Sequence, residues 1–462
     1  MNYYQIVNLV FQIIFTLCGL MCALFVIFGF VGMFVKKKYP QTEEKATYGI
    51  AIPARNEANV IGKLIESIHN ADYPQDKLHI FVIAHNCTDN TAEVARSLKK
   101  EGFANITVYE YNNPDECTKG YGLHYLFKQI DKDFGIQSLD GYYILDSDNI
   151  VAKNYFQKMN DAFCYYGKKN IISSYRNSKN FGKNIISGLY GIYFTLGCYF
   201  ESRGRTVTGC STRVSGTGYV MSSESLKDGW NYFTLTEDWE LTADQIIEGK
   251  KIYYCEDAIF YDEQPTKFWV MWRQRVRWSK GHLLVFAYRF KDIFKAMCRK
   301  GSHHVSLYDI LVNILPVILV FFFLTLLQPV LLALGPVFTG QTSNAGEILY
   351  NVFLGYDTTK SIWWNLTLNM NLGWVIAYTR TFVISYIGMM LMAIFTFYYG
   401  RKRIKHVNVF MKILLILLWP LFLDFQFLID LGALCARNLG WKTIPHEDET
   451  SIDNMNNLGN EQ

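Results

Sequence analysis

The chain has 462 residues, of which 50% are hydrophobic, and this length accommodates about two or three domains. Its formal net charge of +4 is too small to indicate a nucleic-acid-binding protein. Ten cysteines without a Cys-x-x-Cys pair or a metal-ligand spacing argue against a zinc site and favour reduced thiols in a cytosolic domain and in membrane helices.

The first predicted element is a membrane helix. Residues 5–35 form a nearly uncharged apolar run that ends at three lysines, residues 36–38. The run exceeds the ~20 residues that a span needs, so we expect a tilted helix within residues 1–38. A signal peptide is the competing interpretation, but the basic residues follow the apolar run and no small-residue cleavage site is evident. The lysines predict that the next segment is cytoplasmic.

Strands alternate with helices after residue 45. Residues 48–53 and 79–84 read as buried strands, and helices are predicted from about residue 60 to 69 and from residue 91. This alternation predicts a parallel sheet with helices on both faces. Ligands of such sheets bind at the carboxyl ends of the strands. We therefore expect Arg55, Glu57, His85 and Asp89, which follow the first two strands, on the nucleotide side.

An Asp-x-Asp pair follows the next predicted strand. Residues 142–145 lead directly into Asp146, Ser147 and Asp148. Two carboxylates at i and i+2 past a strand are able to share Mg²⁺ or Mn²⁺, which prefer oxygen ligands. Upstream, Lys119 and Gly120 begin a predicted helix, whose N-terminus favours an anion, although a plain loop-to-helix turn has the same residues.

Two aromatic-rich stretches follow. Residues 184–201 are interrupted by three glycines, so they are too broken to span a membrane and predict a helix near the membrane face. Residues 264–292 mix aromatic and basic side chains, which is typical of an amphipathic helix, or a pair of helices, at a membrane interface. Within them Gln274, Arg277 and Trp278 are spaced three to four apart, on one helical face. Arg277 suits a phosphate, and Trp278 offers a flat surface for a sugar ring.

The C-terminal part contains three apolar runs, at about residues 307–335, 375–399 and 408–434. Basic residues 401–405 predict a cytoplasmic turn between the last two, so that residues 336–372 face outside. Asp424 and Asp430 in the last run should face protein or a water-filled path. Whether this run spans fully or re-enters stays open, and residues 447–462 are predicted to be disordered.

Three motifs in this order resemble the processive branch of the family 2 glycosyltransferases, the cellulose, chitin, hyaluronan and poly-N-acetylglucosamine synthases. They are Asp146-Ser147-Asp148, Thr236-Glu237-Asp238 and Gln274-x-x-Arg277-Trp278. The resemblance spans roughly residues 45 to 290 and the flanking membrane segments. It implies an α/β GT-A (Rossmann-like) cytosolic glycosyltransferase domain at residues 45–262, interface helices at 263–300 and an α-helical transmembrane region at 305–440.

The resemblance also implies roles for individual residues. Asp238 is the expected catalytic base; capping of the helix at residues 239–247 is its alternative role, and both are compatible. The family's second loop usually carries an aspartate that holds the uridine, and here His85 stands in its place. The expected metal ligands are Asp146 and Asp148; the expected donor-binding residues are Arg55, Glu57, His85, Asp89, Lys119, Asp146, Gln274 and Arg277; the expected acceptor-binding residues are Gly216, Thr217, Gly218, Glu237, Asp238 and Trp278.

The function that the resemblance implies is polymerisation of a sugar from a UDP-sugar donor, glucose or N-acetylglucosamine first, with Mg²⁺ or Mn²⁺ as cofactor. The growing polysaccharide would be the acceptor and would cross the plasma membrane through the chain's own helices. Expected partners are the lipid bilayer and accessory secretion or assembly subunits, and no nucleic acid. Two alternatives stay open: a transferase that adds one sugar to a lipid or short acceptor, and an inactive transport or assembly subunit.

Overall fold

The computed structural model describes residues 2–301, 303–315, 317–355, 373–405 and 407–436. The predicted disordered tail lies outside the described residues, and so do residues 356–372 of the predicted outer loop. The chain starts with helices α1 (Tyr3–Met21) and α2 (Ala23–Phe34), which together form one candidate membrane span of 32 residues. The second half of this span lies against protein, because a Cβ atom at Gly32 would be 2.5 Å from the carbonyl oxygen of Phe200.

The middle of the chain folds around one eight-stranded sheet with the order β3-β2-β1-β4-β7-β6-β8-β5. Its strands are β1 (Tyr48–Ala54), β2 (Leu78–His85), β3 (Asn105–Tyr111), β4 (Gly141–Ile144), β5 (Ile150–Val151), β6 (Ile171–Ser178), β7 (Tyr219–Ser222) and β8 (Ile252–Asp262). Its helices are α3 (Ile61–His69), α4 (Thr91–Ser97), α5 (Lys119–Phe134), α6 (Tyr155–Tyr165), α7 (Ile185–Leu196), α8 (Arg203–Val207) and α9 (Glu237–Ile247).

The sheet is mixed, so the prediction of a parallel sheet is correct for one half and wrong for the other. Strands β3, β2, β1 and β4 are parallel, but β7 runs antiparallel to both β4 and β6, and β5 runs antiparallel to β8. The reason lies just before β7, where Gly216 and Gly218 adopt φ of +77° and +71°. This turn delivers Tyr219 opposite Ile144, the last residue of β4, so β7 begins where β4 ends.

Helices cover both faces of the sheet, as predicted. Ile50 and Ile52 of β1 belong to one buried cluster, which includes side chains of α3 and α6, whereas Ala51 belongs to a second cluster with α5. Successive side chains of a strand point to opposite faces, so one apolar run supplies both cores. Full burial of an isoleucine side chain contributes about 1.5–3 kcal/mol.

Helix α7 carries the predicted glycine interruptions and packs against the membrane-associated part of the chain. A Cβ atom at Gly188 would lie 2.7 Å from a methyl group of Leu415, and one at Gly191 would lie 2.3 Å from the ring of Phe181. These glycines therefore permit close packing. At Gly197 the helix passes into a π-helical turn, Gly197–Ser202, that leads to α8.

The C-terminal part is helical throughout its described ranges. The predicted interface segment is one helix, α10 (Phe268–Met297). It is followed by α11 (His304–Ile314), α12 (Val317–Ala333), α13 (Gly335–Thr339), α14 (Ala345–Phe353), α15 (Trp374–Gly400), α16 (Val409–Asp424) and α17 (Gln426–Cys435).

Three helical segments among the described residues are long and apolar enough to cross a membrane: Tyr3–Phe34, Trp374–Gly400 and Val409–Cys435. The predicted single run at 307–335 is not one straight helix, because α11 and α12 are bent by 63°. Helix α11 ends just before Leu315, the residue that precedes Pro316 in the sequence, and helices usually end there. Its Leu307, Ile310 and Ile314 pack with α9 and α10 in a buried cluster.

Candidate active site

The carboxyl end of β4 carries the Asp-x-Asp pair and is fixed to the glycine turn. The backbone N–H of Asp146 donates to Thr217 Oγ1 at 2.8 Å and to Asn149 Oδ1 at 3.1 Å. Thr217 Oγ1 in turn donates to Asn149 Oδ1 at 2.5 Å. The hydroxyl group of Thr217, a predicted acceptor-binding residue, is thus hydrogen-bonded within the loop. The turn presents mainly the backbone of Gly216 and Gly218.

Lys119 joins the Asp-x-Asp pair to the Thr-Glu-Asp motif. Its Nζ forms an ion pair with Asp146, donates to the carbonyl oxygen of Gly216 at 2.7 Å and lies 3.7 Å from Glu237 Oε1. Burial alone would lower the pKa of Lys119, but Asp146 and Glu237 outweigh it and raise that pKa above its usual value. Lys119 is therefore a fixed positive charge between two groups of carboxylates.

A second cation beside the Asp-x-Asp pair has no motif in the sequence. Arg176 of β6 donates through Nε to Asp262 at 2.7 Å and through Nη1 to the carbonyl oxygen of Ser215 at 2.9 Å, and it stacks 3.7 Å above the ring of Phe194. It therefore ties the end of β8 to the glycine turn. Burial, opposed by Arg176 and reinforced by Asp148, raises the pKa of Asp262 to about 6.

The Thr-Glu-Asp motif forms the first turn of α9. The helix begins at Glu237 with Thr236 at the N-cap position, so Asp238 lies inside the first turn and does not cap the helix. A Cβ atom on Gly216 would lie 4.0 Å from Asp238 Oδ2, which puts that carboxylate beside the glycine turn. Helix α10 passes so closely that a Cβ atom at Gly281 would be 2.4 Å from Thr236 Oγ1.

Both carboxyl groups of this turn have raised pKa values. Burial raises the pKa of Glu237 to about 7, with Lys119 opposing and Asp238 adding to the rise. Burial also raises the pKa of Asp238, again against the positive charge of Lys119. A carboxylate with a raised pKa holds a proton more readily, and this is the property that a general base needs near neutral pH.

The Gln-x-x-Arg-Trp residues of α10 reach two sets of neighbours. Arg277 donates to the carbonyl oxygen of Leu235 at 2.9 Å, and its buried charge interacts with Glu237, Asp238 and Asp146. Gln274 and Trp278 instead meet helix α7. Gln274 Oε1 accepts from the hydroxyl group of Tyr190 at 2.8 Å, and the Trp278 ring lies edge-on to Tyr190 at 6.0 Å and to Phe194 at 6.3 Å.

The predicted nucleotide-side residues form a group of their own after β1 and β2. Arg55 donates to the carbonyl oxygen of Cys117 at 3.1 Å, just before α5, and the backbone of Glu57 donates to Thr91 Oγ1 at 2.9 Å. Asp89 accepts from the backbone N–H of Ala58 at 3.2 Å, so it connects the loop after β2 to the loop after β1.

His85 is buried in the second of these loops. Its Nε2–H donates to the carbonyl oxygen of Glu116 at 2.7 Å, and its ring stacks on Tyr111 with centroids 5.6 Å apart. Burial lowers the pKa of His85, which favours the neutral ring. Its Nδ1 atom faces Gly122, where a Cβ atom would be only 2.9 Å away. A neutral imidazole in this place leaves a hydrogen-bond acceptor where the family usually has a carboxylate.

The residues at the end of β4 fit a hard divalent cation. Asp146 and Asp148 offer carboxylate oxygens, and Asp148 Oδ2 also accepts from the backbone of Glu263 at 3.0 Å, which orients it. Across the described ranges, no group of three or more His, Cys, Asp or Glu side chains is arranged to hold a metal ion. The chain itself thus provides two candidate ligands, and a cation there would need further oxygens from a bound phosphate or from water.

A cavity of about 2170 Å³ begins beside this site and extends among the apolar helices. Its lining includes Trp278, Ser279 and His282 of α10. The other lining residues come from α1, α2, α7, α10, α11, α12, α14, α15, α16 and α17 and their connections. In its wall Arg275 donates to the carbonyl oxygen of Phe422 at 3.1 Å.

Comparison with known proteins identifies the central segment. The family model "Glycosyltransferase like family 2" matches residues 46–281, just over half of the chain. The probable glycosyltransferase YdaM of Bacillus subtilis is 26% identical over 263 residues, 55% of this chain and 59% of the relative. The beta-monoglucosyldiacylglycerol synthase of a Synechocystis species is 24% identical over 253 residues, 54% of this chain and 50% of the relative.

A third relative is the poly-beta-1,6-N-acetyl-D-glucosamine synthase of Staphylococcus epidermidis, 24% identical over 301 residues, 64% of this chain and 68% of the relative. The chain spans about half to three fifths of the length of the first two relatives. Among solved structures, the mannosyltransferase PcManGT from Pyrobaculum calidifontis has a TM-score of 0.46 at 16% identity, over 72% of this chain and 89% of that one. The chain belongs to the family 2 glycosyltransferases and has a GT-A-like fold built on a mixed sheet.

Proposed function

We propose that this chain is an inverting, processive hexosyltransferase of the plasma membrane that takes a sugar from a cytoplasmic UDP-sugar and adds it to a growing polysaccharide. Glucose and N-acetylglucosamine are the expected sugars, and accessory assembly subunits are possible partners. One observation carries the proposal. The α10 turn whose Arg277 faces the catalytic carboxylates also holds Trp278, which lines the cavity among the apolar helices.

On the donor side, the charges suit a nucleoside diphosphate. Asp146 and Asp148 would hold Mg²⁺ or Mn²⁺, which when bound neutralises the diphosphate and stabilises it as a leaving group. Lys119, now paired with Asp146, is the cation that balances this carboxylate before the donor arrives. Lys119 and Arg277 would then pair with phosphate oxygens. Arg55, Glu57, His85, Asp89 and Gln274 are proposed to position the nucleotide.

On the acceptor side, Asp238 would accept the proton of the acceptor hydroxyl group. The hydroxyl oxygen then forms the new bond to the sugar's anomeric carbon, the bond from that carbon to the phosphate oxygen breaks, and UDP leaves. The raised pKa of Asp238 suits this step. Glu237 and the turn at Gly216, Thr217 and Gly218 are proposed to border the acceptor, whose terminal ring would stack on Trp278.

The cavity is long enough to carry a product across a membrane. Its lining residues on α1 and α2 run from Asn2 to Val26. At 1.5 Å per residue this is roughly 36 Å of helix, against a bilayer hydrocarbon core of about 30 Å. A chain that leaves Trp278 would thus enter a path already matched to the membrane, and this favours a polymer over a short soluble product.

A second candidate is the addition of one sugar to a membrane lipid. The cavity wall includes apolar rings such as Phe321, Phe322 and Phe427, which would accept an acyl chain, and two of the matched relatives are a glucolipid synthase and a poly-N-acetylglucosamine synthase. An inactive assembly subunit is the third. Intact Asp146, Asp148 and Asp238 argue against it.

The test is product length against time. Purified full-length protein in lipid vesicles receives each of a panel of radiolabelled UDP-sugars, and linkage-specific hydrolases then digest the product. We expect a few long chains beside unused enzyme early in the reaction with glucose or N-acetylglucosamine as donor. Mono-addition to lipid would replace the proposal with the second candidate, a slowly rising ladder would exclude processivity, and no UDP release with any donor would favour the third.

The Trp278→Ala variant tests the link between the site and the cavity. Loss of ring stacking should weaken acceptor binding by about 1–3 kcal/mol, if base stacking is a fair guide to sugar stacking. Elongation should therefore fall more than donor hydrolysis does. Trp269→Ala is the matched control, because that ring is 69% exposed on the same helix and does not line the cavity. Normal elongation by Trp278→Ala would exclude the proposed acceptor platform.

A further inference from the structure

Helix α1 has two chemically different faces. Its polar side chains recur every three to four residues, so they form one stripe along the helix. All of them line the cavity: Gln5, Asn8, Gln12 and Thr16. Five apolar residues of the helix are 46–63% exposed and lie outside the cavity lining, whereas Leu9 and Phe15 line the cavity beside the polar residues. The five are Ile6, Val10, Ile13, Leu17 and Leu20. We call the four polar residues the amide ladder.

The opposite walls of the cavity carry similar groups. Gln328 of α12 donates to Asn8 Oδ1 at 3.2 Å. Thr325 lies one turn away from Gln328 in the lining, and Thr381 and Ser385 of α15 line the same cavity. The amide ladder thus shares its cavity with other hydroxyl and amide side chains, although the hydroxyl groups of Thr325 and Thr381 donate to carbonyl oxygens of their own helices.

A membrane anchor alone does not explain the ladder. Amide groups in a membrane helix are unfavourable unless a partner satisfies them, and polar contacts between helices are one way to do so. The Asn8–Gln328 bond accounts for one such contact. In the part of the chain that the structure describes, the side chains of Gln12 and Thr16 make no hydrogen bond to protein. They are available for water or for a ligand that carries hydroxyl or amide groups.

The charges of the cavity wall nearly cancel. Arg275 donates to Gln426 at 2.7 Å and Asp430 accepts from Ser279 at 2.6 Å, so both are held by protein. The other two charged residue types in the lining, Arg380 and Asp424, have opposite formal charges. An anionic polymer would need an excess of cations there, and a cationic polymer would need an excess of anions. Amide groups, which both donate and accept, match hydroxyl and N-acetyl groups instead.

We infer that the amide ladder of α1 is a binding site for an uncharged saccharide chain, built of hexose or N-acetylhexosamine units without carboxylate or free amine. The inference rests on the proposed function, because it takes the chain that leaves Trp278 as the ligand. It assigns α1 a role in holding the product, and it excludes uronate-containing and deacetylated polymers as cargo.

The first experiment measures binding to the full-length protein in nanodiscs. The probes are N-acetylated chito-oligosaccharides of disaccharide and octasaccharide length, the deacetylated octasaccharide and an octamer of galacturonate. The ladder variant is Asn8→Leu combined with Gln12→Met, and the control is Ile6→Leu combined with Ile13→Met on the lipid side of the same helix. Loss of two polar contacts should weaken octasaccharide binding about tenfold in the ladder variant. Disaccharide binding should stay unchanged.

The outcomes separate the ladder from the proposed function. Equal octasaccharide binding by the ladder variant and its control would overturn the inference, and so would binding of galacturonate or of the deacetylated chain as tight as that of the neutral octasaccharide. In the elongation assay, the ladder variant should release UDP at the wild-type rate in the first transfer and make fewer long chains. If the ladder variant elongates normally, the inferred binding role of the amide ladder is wrong and the proposed polymerisation is unaffected. If the wild type adds one sugar only, polymerisation is wrong and the binding experiment still decides the ladder.

Discussion

The cleft around the Asp-x-Asp pair and the cavity among the apolar helices meet at α10 and differ in their chemistry. The cleft is built from opposed charges, with Lys119, Arg176 and Arg277 set against five carboxyl groups: Asp146, Asp148, Glu237, Asp238 and Asp262. The cavity is lined by amides, hydroxyls and rings with few charges. Fixed charges are effective where a reaction develops charge, because they need no reorganisation at that moment. A path for a sliding chain needs weak contacts that repeat.

The two regions also differ in how they are held. In the cleft, the polar side chains are bound by other parts of the protein: Thr217 by Asn149, Arg176 by Asp262, Asp148 by the backbone of Glu263. In the described part of the cavity, Gln12 and Thr16 have no such partners. The cleft is thus preorganised for one geometry, while Gln12 and Thr16 of the cavity leave hydrogen-bonding groups for a ligand. Four experiments test this contrast.

The largest effect is expected from removal of the metal. If Asp146 and Asp148 hold Mg²⁺ or Mn²⁺, a chelator should abolish sugar transfer, because the leaving diphosphate then loses its main neutralising charge. Either ion should restore transfer when it is added in excess. The measurement is UDP release from the purified protein before and after EDTA, with metal content determined in parallel.

The cavity provides the control for this experiment. Neutral octasaccharide binding should persist in EDTA, because the amide ladder contains no carboxylate, so its contacts to a saccharide do not depend on a divalent cation. Full transfer activity in chelator with negligible metal would end the metal role of the Asp-x-Asp pair. Simultaneous loss of oligosaccharide binding would mean that the metal holds the whole fold together.

The next effect is expected from Asp238→Asn. The substitution keeps the shape of the side chain and removes the proton acceptor, so kcat should fall by ~10²-fold or more while the donor still binds. UDP binding by calorimetry and turnover by UDP release separate the two effects. Because Thr236 and not Asp238 is at the N-cap position, the helix should remain stable. Equal losses of UDP binding and turnover would instead make Asp238 a donor-site residue.

The sequence predicts correctly those elements that depend on residues close together in the chain. The order of strands and helices, the position of Asp146 just after β4, and the helical spacing of Gln274 and Trp278 follow from patterns within a few residues. The mixed sheet does not, because the direction of β7 depends on a turn at Gly216 that must meet the distant strand β4. The break between α11 and α12 does have a local signal, since Leu315 precedes a proline in the sequence, but the burial of α11 against α9 and α10 is a long-range contact that no local pattern specifies.

Two members of the cleft were missed for the same reason. Arg176 and Asp262 come from β6 and β8, and their pairing is a long-range contact that spacing does not reveal. The usable signal was Arg176, the one charged residue of the otherwise buried strand β6, since such a charge needs a partner. The amides at Asn8 and Gln12 were likewise hidden in a run that reads as apolar, and only their spacing of three to four gave a signal.

A smaller effect is expected from Arg176→Lys. Lysine keeps the charge but cannot donate to Asp262 and to the carbonyl oxygen of Ser215 at once through one planar group. The glycine turn should therefore shift relative to the carboxylates. We expect kcat to fall about tenfold, which corresponds to ~1.4 kcal/mol, with a smaller change in the KM for the donor.

The matched control is Arg205→Lys. Arg205 is a buried arginine whose Nε donates to Asp309 at 2.7 Å and not to the Asp-x-Asp pair. Both variants should lower thermal stability, but only Arg176→Lys should lower kcat more than stability predicts. Equal kcat values for the two variants would make Arg176 a structural residue only.

The smallest effect is a shift of the pH profile. A general base works only when it is deprotonated, so activity is present above its pKa and is lost as the pH falls through it. Burial raises the pKa of Asp238 above its usual value and that of Glu237 to about 7. The acid limb of kcat/KM should therefore lie at higher pH than the usual titration range of an aspartate, which is at about pH 4. Glu237→Gln removes one charge of the pair, so the limb should move to lower pH, because Asp238 no longer titrates beside a like charge. The pH dependence of UDP release between acid and neutral pH measures the position of the limb in both proteins. A wild-type limb near pH 4, or the same limb in Glu237→Gln and the wild type, would show that the two carboxyl groups do not titrate as a pair in catalysis.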